Sequence, residues 1–204
     1  TIVAISVSLR LIDVESEYAA ILKRMSTHGN TLEEILEALW DSGTAENMSK
    51  GSAERCTNAH LNIVGHITIN DLLKYQDTVG LFNGWMNRPL IVLTKRHQKI
   101  SVPTFLLPDT DLQNRIYEKV TKAQQIGEVS FSQDGRKLWD EVYEKVSVDG
   151  EGLIDNILAR AEPHIIRTAL INMALDNKSQ IEPEHIGPAT AFWDYCVNSV
   201  NHIW

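Results

Sequence analysis

Val3, Ile5 and Val7 alternate with smaller or polar residues and run through Leu9 and Leu11 to Asp13, a period of two that predicts a strand. From Glu15 to Arg24 the apolar positions recur at helical spacing, so this strand feeds a helix across an acidic junction. Thr31 with Glu34 forms the pattern of a capping box for a second helix, Leu32 to Trp40, and Asp41-Ser42-Gly43 should stop it. The stretch Gly43 to Glu54 is polar and reads as a loop. Leu61 to Ile69 is a short, mostly apolar run of the kind buried in parallel sheets, and Thr68 opens another helix. Arg88 to Thr94 predicts a third clear strand, after which the basic, proline-punctuated Lys95 to Pro108 breaks both periodicities.

Beyond Asp109 the pattern is helical: Asp109 to Gln125, Ser132 to Val146, Leu153 to Leu175 and Pro183 to Trp204, punctuated by Gly127, Gly135 and Asp149-Gly150. Strands alternating with helices, then helices alone, predict an α/β core over residues 1–100 and a helical region over 101–204.

Composition narrows the chemistry. With 204 residues, 43% of them hydrophobic, the chain can bury a real core. A formal charge of −8 opposes any chain-wide attraction to phosphate backbones, so a nucleic-acid contact has to be local. Cys56 and Cys196 lie far apart without a CxxC, which favours free thiols in a reducing, cytoplasmic setting. Thr1 to Leu9 is apolar but short and carries no basic n-region, so neither a signal peptide nor a membrane span is expected. It also starts without a cap, a turn or a Met, which suggests that the chain is cut from something longer or belongs to a shortened gene. Cys56, His60 and His66 match no zinc spacing, and no metal site is expected.

Four blocks occur in a distinctive order. They are Arg10 to Tyr18 with Gly29-Asn30-Thr31-Leu32; His60 to Thr68; Asn83-Gly84-Trp85-Met86-Asn87-Arg88-Pro89-Leu90; and Leu158 to Arg167 with Ile181 to His185 and Trp193 to Cys196. Together they resemble the phage and plasmid P-loop ATPases that accompany primases, a primase-helicase type of replication protein. The resemblance implies part of a RecA/AAA-like parallel sheet followed by a helical lid, with ATP and magnesium used by the complete protein. It also implies a homo-oligomer and DNA as a partner of that complete protein. No G-x-x-x-x-G-K-[ST] occurs, although a triphosphate needs such a backbone cradle. The family would place that loop upstream of Thr1, so this chain alone should hold no cofactor and turn over no ATP.

The same resemblance assigns residues. Glu15 and Glu17 match catalytic acids at a strand end, where they would hold magnesium or orient water, against the alternative of capping the next helix. Asp13 departs from the family, which has an apolar residue there. His66 and Thr68 match γ-phosphate sensors, against a buried histidine ending a strand. Arg88 matches an arginine finger acting on a neighbouring subunit, against an ion pair at the start of an edge strand; Pro89 stands where the family has an aromatic. Arg160 matches a lid-side nucleotide sensor, with Arg167 further along, against arginines paired with Glu162, Asp155 or Glu184. Lys95, Arg96, His97 and Lys99 are phosphate contacts or a solvated loop, while Phe192, Trp193 and Tyr195 read as helix packing before a stacking platform. The expected function is that of a fragment of a replication-associated ATPase, and the alternative is a nonenzymatic remnant or helical interaction module.

Overall fold

The computed structural model describes residues 10–49, 52–75, 84–102, 108–147 and 150–204. The chain forms two compact units, Thr1–Pro89 and Leu90–Trp204. The alternating run Val3 to Leu9 lies outside the described residues, as does Asn83.

In the first unit, β1 (Arg10–Glu15) pairs in parallel with β4 (His60–Gly65), Glu15 standing opposite Gly65. Between them come α1 (Ala19–Met25), α2 (Leu32–Ser42) and an antiparallel hairpin of β2 (Ala45–Ser49) and β3 (Ser52–Cys56). The hairpin replaces the polar loop expected from Gly43 to Glu54. Gly43 ends α2 with φ +66°, and a Cβ there would lie 2.8 Å from the Ala59 carbonyl oxygen, so both conformation and space require glycine. The Thr31 capping box does not form. Thr31 makes no side-chain cap bond, and the Leu32 N–H is instead satisfied by Asn30 Oδ1 at 2.8 Å. After β4 come α3 (Ile69–Tyr75) and a short 3-10 turn, Trp85–Asn87. Leu22, Leu36, Leu72, Trp85 and Met86 are buried in this unit.

The strand expected from Arg88 to Thr94 is absent. Arg88 and Pro89 lie in a bend, and Leu90 to Ile100 joins neither a helix nor a ladder. Pro89 supplies no donor, and Leu93 spends its backbone groups on side chains of the last helix.

The second unit contains α4 (Thr110–Ala123), β5 (Ser130–Phe131), α5 (Gln133–Val146), α6 (Leu153–Leu158), α7 (Ala161–Leu175), β6 (Gln180–Ile181) and α8 (Pro183–Ile203). The helix expected over Leu153 to Leu175 is two helices, because Pro163 has no N–H and its ring excludes the carbonyl of Ala159 from a continuous turn. Asn177, at φ 56°, closes α7: its N–H reaches the Ala174 carbonyl and that of Lys178 reaches Met173. Pro183 begins α8 at its first position, where a missing donor is harmless. Helices α7 and α8 pack as a pair, with Ile165, Ala169, Met173, Ile186, Trp193 and Cys196 in a core that Trp139 and Val142 of α5 join. Strands β5 and β6 form a two-residue parallel bridge, and Gly135 sits beneath it: a Cβ there would lie 2.1 Å from the Ile181 carbonyl oxygen.

Candidate functional site

The carboxyl ends of β1 and β4 are level, and the backbone continues their alignment past the strands. The His66 N–H donates to the Glu15 carbonyl at 2.9 Å, and the Tyr18 N–H to the His66 carbonyl at 3.0 Å. This places Glu15, Glu17, His66 and Thr68 along one sheet edge, the side of a parallel sheet where ligand crevices form. Glu15 is half-buried, whereas Glu17 and His66 are exposed, so the buried-histidine alternative does not hold. The capping alternative for the two acids is not realised either, since α1 has Tyr18 at its N-cap with no side-chain cap bond. Tyr18 lies over the strand end, where a Cβ on Gly65 would come within 2.5 Å of its ring. Burial pushes the Tyr18 hydroxyl up to about 12, so it stays protonated.

Thr68 has a structural task at this edge. Its hydroxyl donates to Asp71 Oδ2 at 2.8 Å and accepts from the Asp71 N–H at 3.1 Å, a reciprocal cap on α3. A phosphate would have to compete with Asp71 for that hydroxyl proton.

Arg88 departs from the finger expected of it. A residue that reaches into a neighbouring subunit must present its guanidinium at the surface, but Arg88 is only 7% exposed. Its Nη1 donates to Glu37 Oε1 at 2.8 Å and to the Gly84 carbonyl, its Nη2 to Asp41 Oδ2 at 2.7 Å, and the guanidinium lies 5.8 Å from the Trp40 ring. Glu37 and Asp41 are one turn apart on α2, so a single planar cation spans both carboxylates. Gly84 permits the approach: at φ +91° it has no Cβ, and one would lie 3.1 Å from Nη1. The arginine is a clamp within its own unit. Sequence reasoning missed Glu37 and Asp41; their helical i, i+4 spacing was the available signal. Glu33, one turn earlier, has its carboxyl raised above the ordinary value by burial first and then by Glu37 and Glu34.

Arg160 belongs to the second unit, at the N-cap of α7, half-buried and without a side-chain cap bond. Arg167, further along α7, is exposed. In the same unit Glu182, Glu184 and His185 bring potential metal ligands within 4.8 Å of one another. Most of their ligand atoms are engaged, His185 Nε2 being buried without a hydrogen-bond partner. Lys178 bonds Glu182 and, at 2.6 Å, Glu184, while His185 Nδ1 accepts the Glu182 N–H at 2.9 Å as a cap. Those bonds, to Glu182 first, hold the Lys178 ammonium above the ordinary lysine range and lower Glu184. The cluster is therefore a helix-start network. Burial raises the Cys196 thiol to about 11, leaving it inert, and Cys56 is also unpaired.

Among the described residues no helix is long and apolar enough to cross a membrane. Comparison with protein-family models, with curated proteins and with solved structures finds no match in any of the three.

Proposed function

We propose that the chain is part of a replication-associated ATPase of the primase-helicase kind, the first unit supplying one edge of a nucleotide site. The observation that carries this reading is the level parallel pair β1–β4, with Glu15, Glu17 and His66 at its carboxyl edge. In this reading the pair belongs to a larger RecA-like sheet, Glu15 would orient the attacking water, Glu17 would hold magnesium and His66 would meet the terminal phosphate. Arg88 takes no part in the chemistry and braces α2 instead. The fit to Mg-ATP is partial: the acids suit a hydrated cation, but the sequence has no phosphate-loop motif to cradle the triphosphate. That loop must come from other sequence.

The test is nucleotide binding and turnover by the 204-residue chain and by a protein that also carries a phosphate loop. The short chain should not hydrolyse ATP, and Glu15→Gln in the loop-bearing protein should hold ATP without turning it over. Magnesium-dependent turnover by the short chain, or unchanged turnover in Glu15→Gln, would sink the assignment. One observation favours a second reading, a helical interaction module: Leu112, Ile116 and Val120 make a stripe along α4 that stays about half exposed. That reading gains if the loop-bearing protein also fails to bind nucleotide.

A further inference from the structure

Aspartate and glutamate occupy 27 of 204 positions, yet none falls between Thr78 and Pro108. Within that stretch Lys95, Arg96, His97 and Lys99 set four basic side chains in a row interrupted only by Gln98, all of them exposed. Elsewhere in the second unit Lys119 pairs with Asp176, Lys137 with Asp134, Arg136 with Asp140, and Lys178 with both Glu182 and Glu184. Among the described residues no ion pair engages Lys95, Arg96 or Lys99. In an acid-rich chain, keeping such a run free of carboxylates leaves a local positive field against the prevailing charge.

The run is anchored at its start. The Leu93 N–H donates to Ser199 Oγ at 3.1 Å, and the Leu93 carbonyl accepts from the Tyr195 hydroxyl at 2.5 Å. Both partners lie on α8, one turn apart, so the backbone is pinned two residues ahead of Lys95. Tyr195 remains 48% exposed, and Phe192, one turn earlier on the same face, is 39% exposed. After Asp194 the helix carries no further acid. Cations in a segment outside helix and strand, beside two accessible aromatic faces, match the needs of an unpaired strand: charge for its phosphates and rings for its bases.

We propose that Thr94 to Lys99, together with Phe192 and Tyr195 of α8, forms a binding surface for single-stranded nucleic acid. The surface lies wholly within the second unit and uses no nucleotide chemistry; it deepens the replication reading, which implies DNA as a partner, and binding without ATP can hold or fail independently of turnover. Its test is fluorescence anisotropy of a labelled oligo-dT with the full chain, without ATP, over a series of KCl concentrations. Binding should weaken with salt. Replacing Lys95, Arg96 and Lys99 together by alanine should flatten the slope of log K against log salt by about 2, at roughly 0.7 for each phosphate no longer neutralised. Phe192→Ala should weaken binding roughly tenfold and leave the slope unchanged, as removal of one stacking ring does. Lys122→Ala with Lys145→Ala, exposed cations on other helices, should change neither. Absence of binding by the parent at low salt, or equal binding by the triple variant with unchanged circular dichroism, would overturn the proposal. Equal competition by polyglutamate or by duplex DNA would do the same.

Discussion

The two units bury their apolar residues very differently. In the second, Ile165 and Ile186 are 0% exposed, and α5, α7 and α8 close around them. In the first, Ile12 is 75% exposed and Val14 65%, both on a parallel strand of the kind that ordinarily has cover on both faces. What holds the first unit is partly polar, the Arg88 clamp onto α2. The helical unit carries a core complete in itself, whereas the described part of the sheet unit leaves apolar strand surface in water and depends on a buried cation for its shape.

The largest test of that contrast is a matched pair of truncations. Ile165→Ala should cost about 2–5 kcal/mol, because the cavity lies where neighbours cannot close it, while Ile12→Ala should stay within about 0.5 kcal/mol. Urea unfolding of both variants measures the difference, and similar losses would erase the contrast. Next comes Arg88→Met, expected to cost about 3 kcal/mol, the lower end for a broken buried pair since Asp41 is half exposed. Hydrogen exchange should place the loss in residues 1–89, and adding Glu37→Gln with Asp41→Asn should recover much of it. Recovery failing, or the loss appearing in the helical unit, would dismiss the clamp.

The smallest effect concerns Glu33. Its folded carboxyl holds its proton more tightly than in the unfolded chain, so folding is favoured at acid pH and loses stability as pH rises above the ordinary carboxylate range. Glu33→Gln should therefore stabilise the first unit modestly at neutral pH and not at all below that range. A stability difference that ignores pH would show that burial and the neighbouring acids are not its cause.

The helical half was the more legible in sequence because its long apolar periodicities coincide with the elements they form. Three details were hidden there, the first being the short parallel bridge of β5 with β6 in a region expected to hold helices alone. Pro163 splits one expected helix, and Gly135 marks the close approach of a carbonyl within a helix, a role that a glycine's usual reading as punctuation does not reveal. The sheet half misled for physical reasons. Ala45 to Ser49 and Ser52 to Cys56 lack the β-branched and aromatic residues that advertise strands, so the hairpin looked like a loop. Arg88 to Thr94 carries the strand signal, but Pro89 and the docking of Leu93 give its backbone other partners. At the candidate site the sequence placed Glu15, His66 and Thr68 near a strand end; the i, i+4 spacing of Glu37 and Asp41 was also visible, but that Arg88 is the cation they meet was a matter of three-dimensional neighbours.

The bridge between β5 and β6 has a practical corollary for anyone dissecting the molecule. Ser130 and Gln180 meet through a hydrogen bond across 50 positions, and the Ile181 carbonyl can pass over residue 135 only because it is a glycine. Everything between these two strands is enclosed as by a buckle, so a trimmed version that starts after Phe131 strips α8 of the strand that seats its first turn. The smallest separable piece of the helical half therefore has to begin before Ser130.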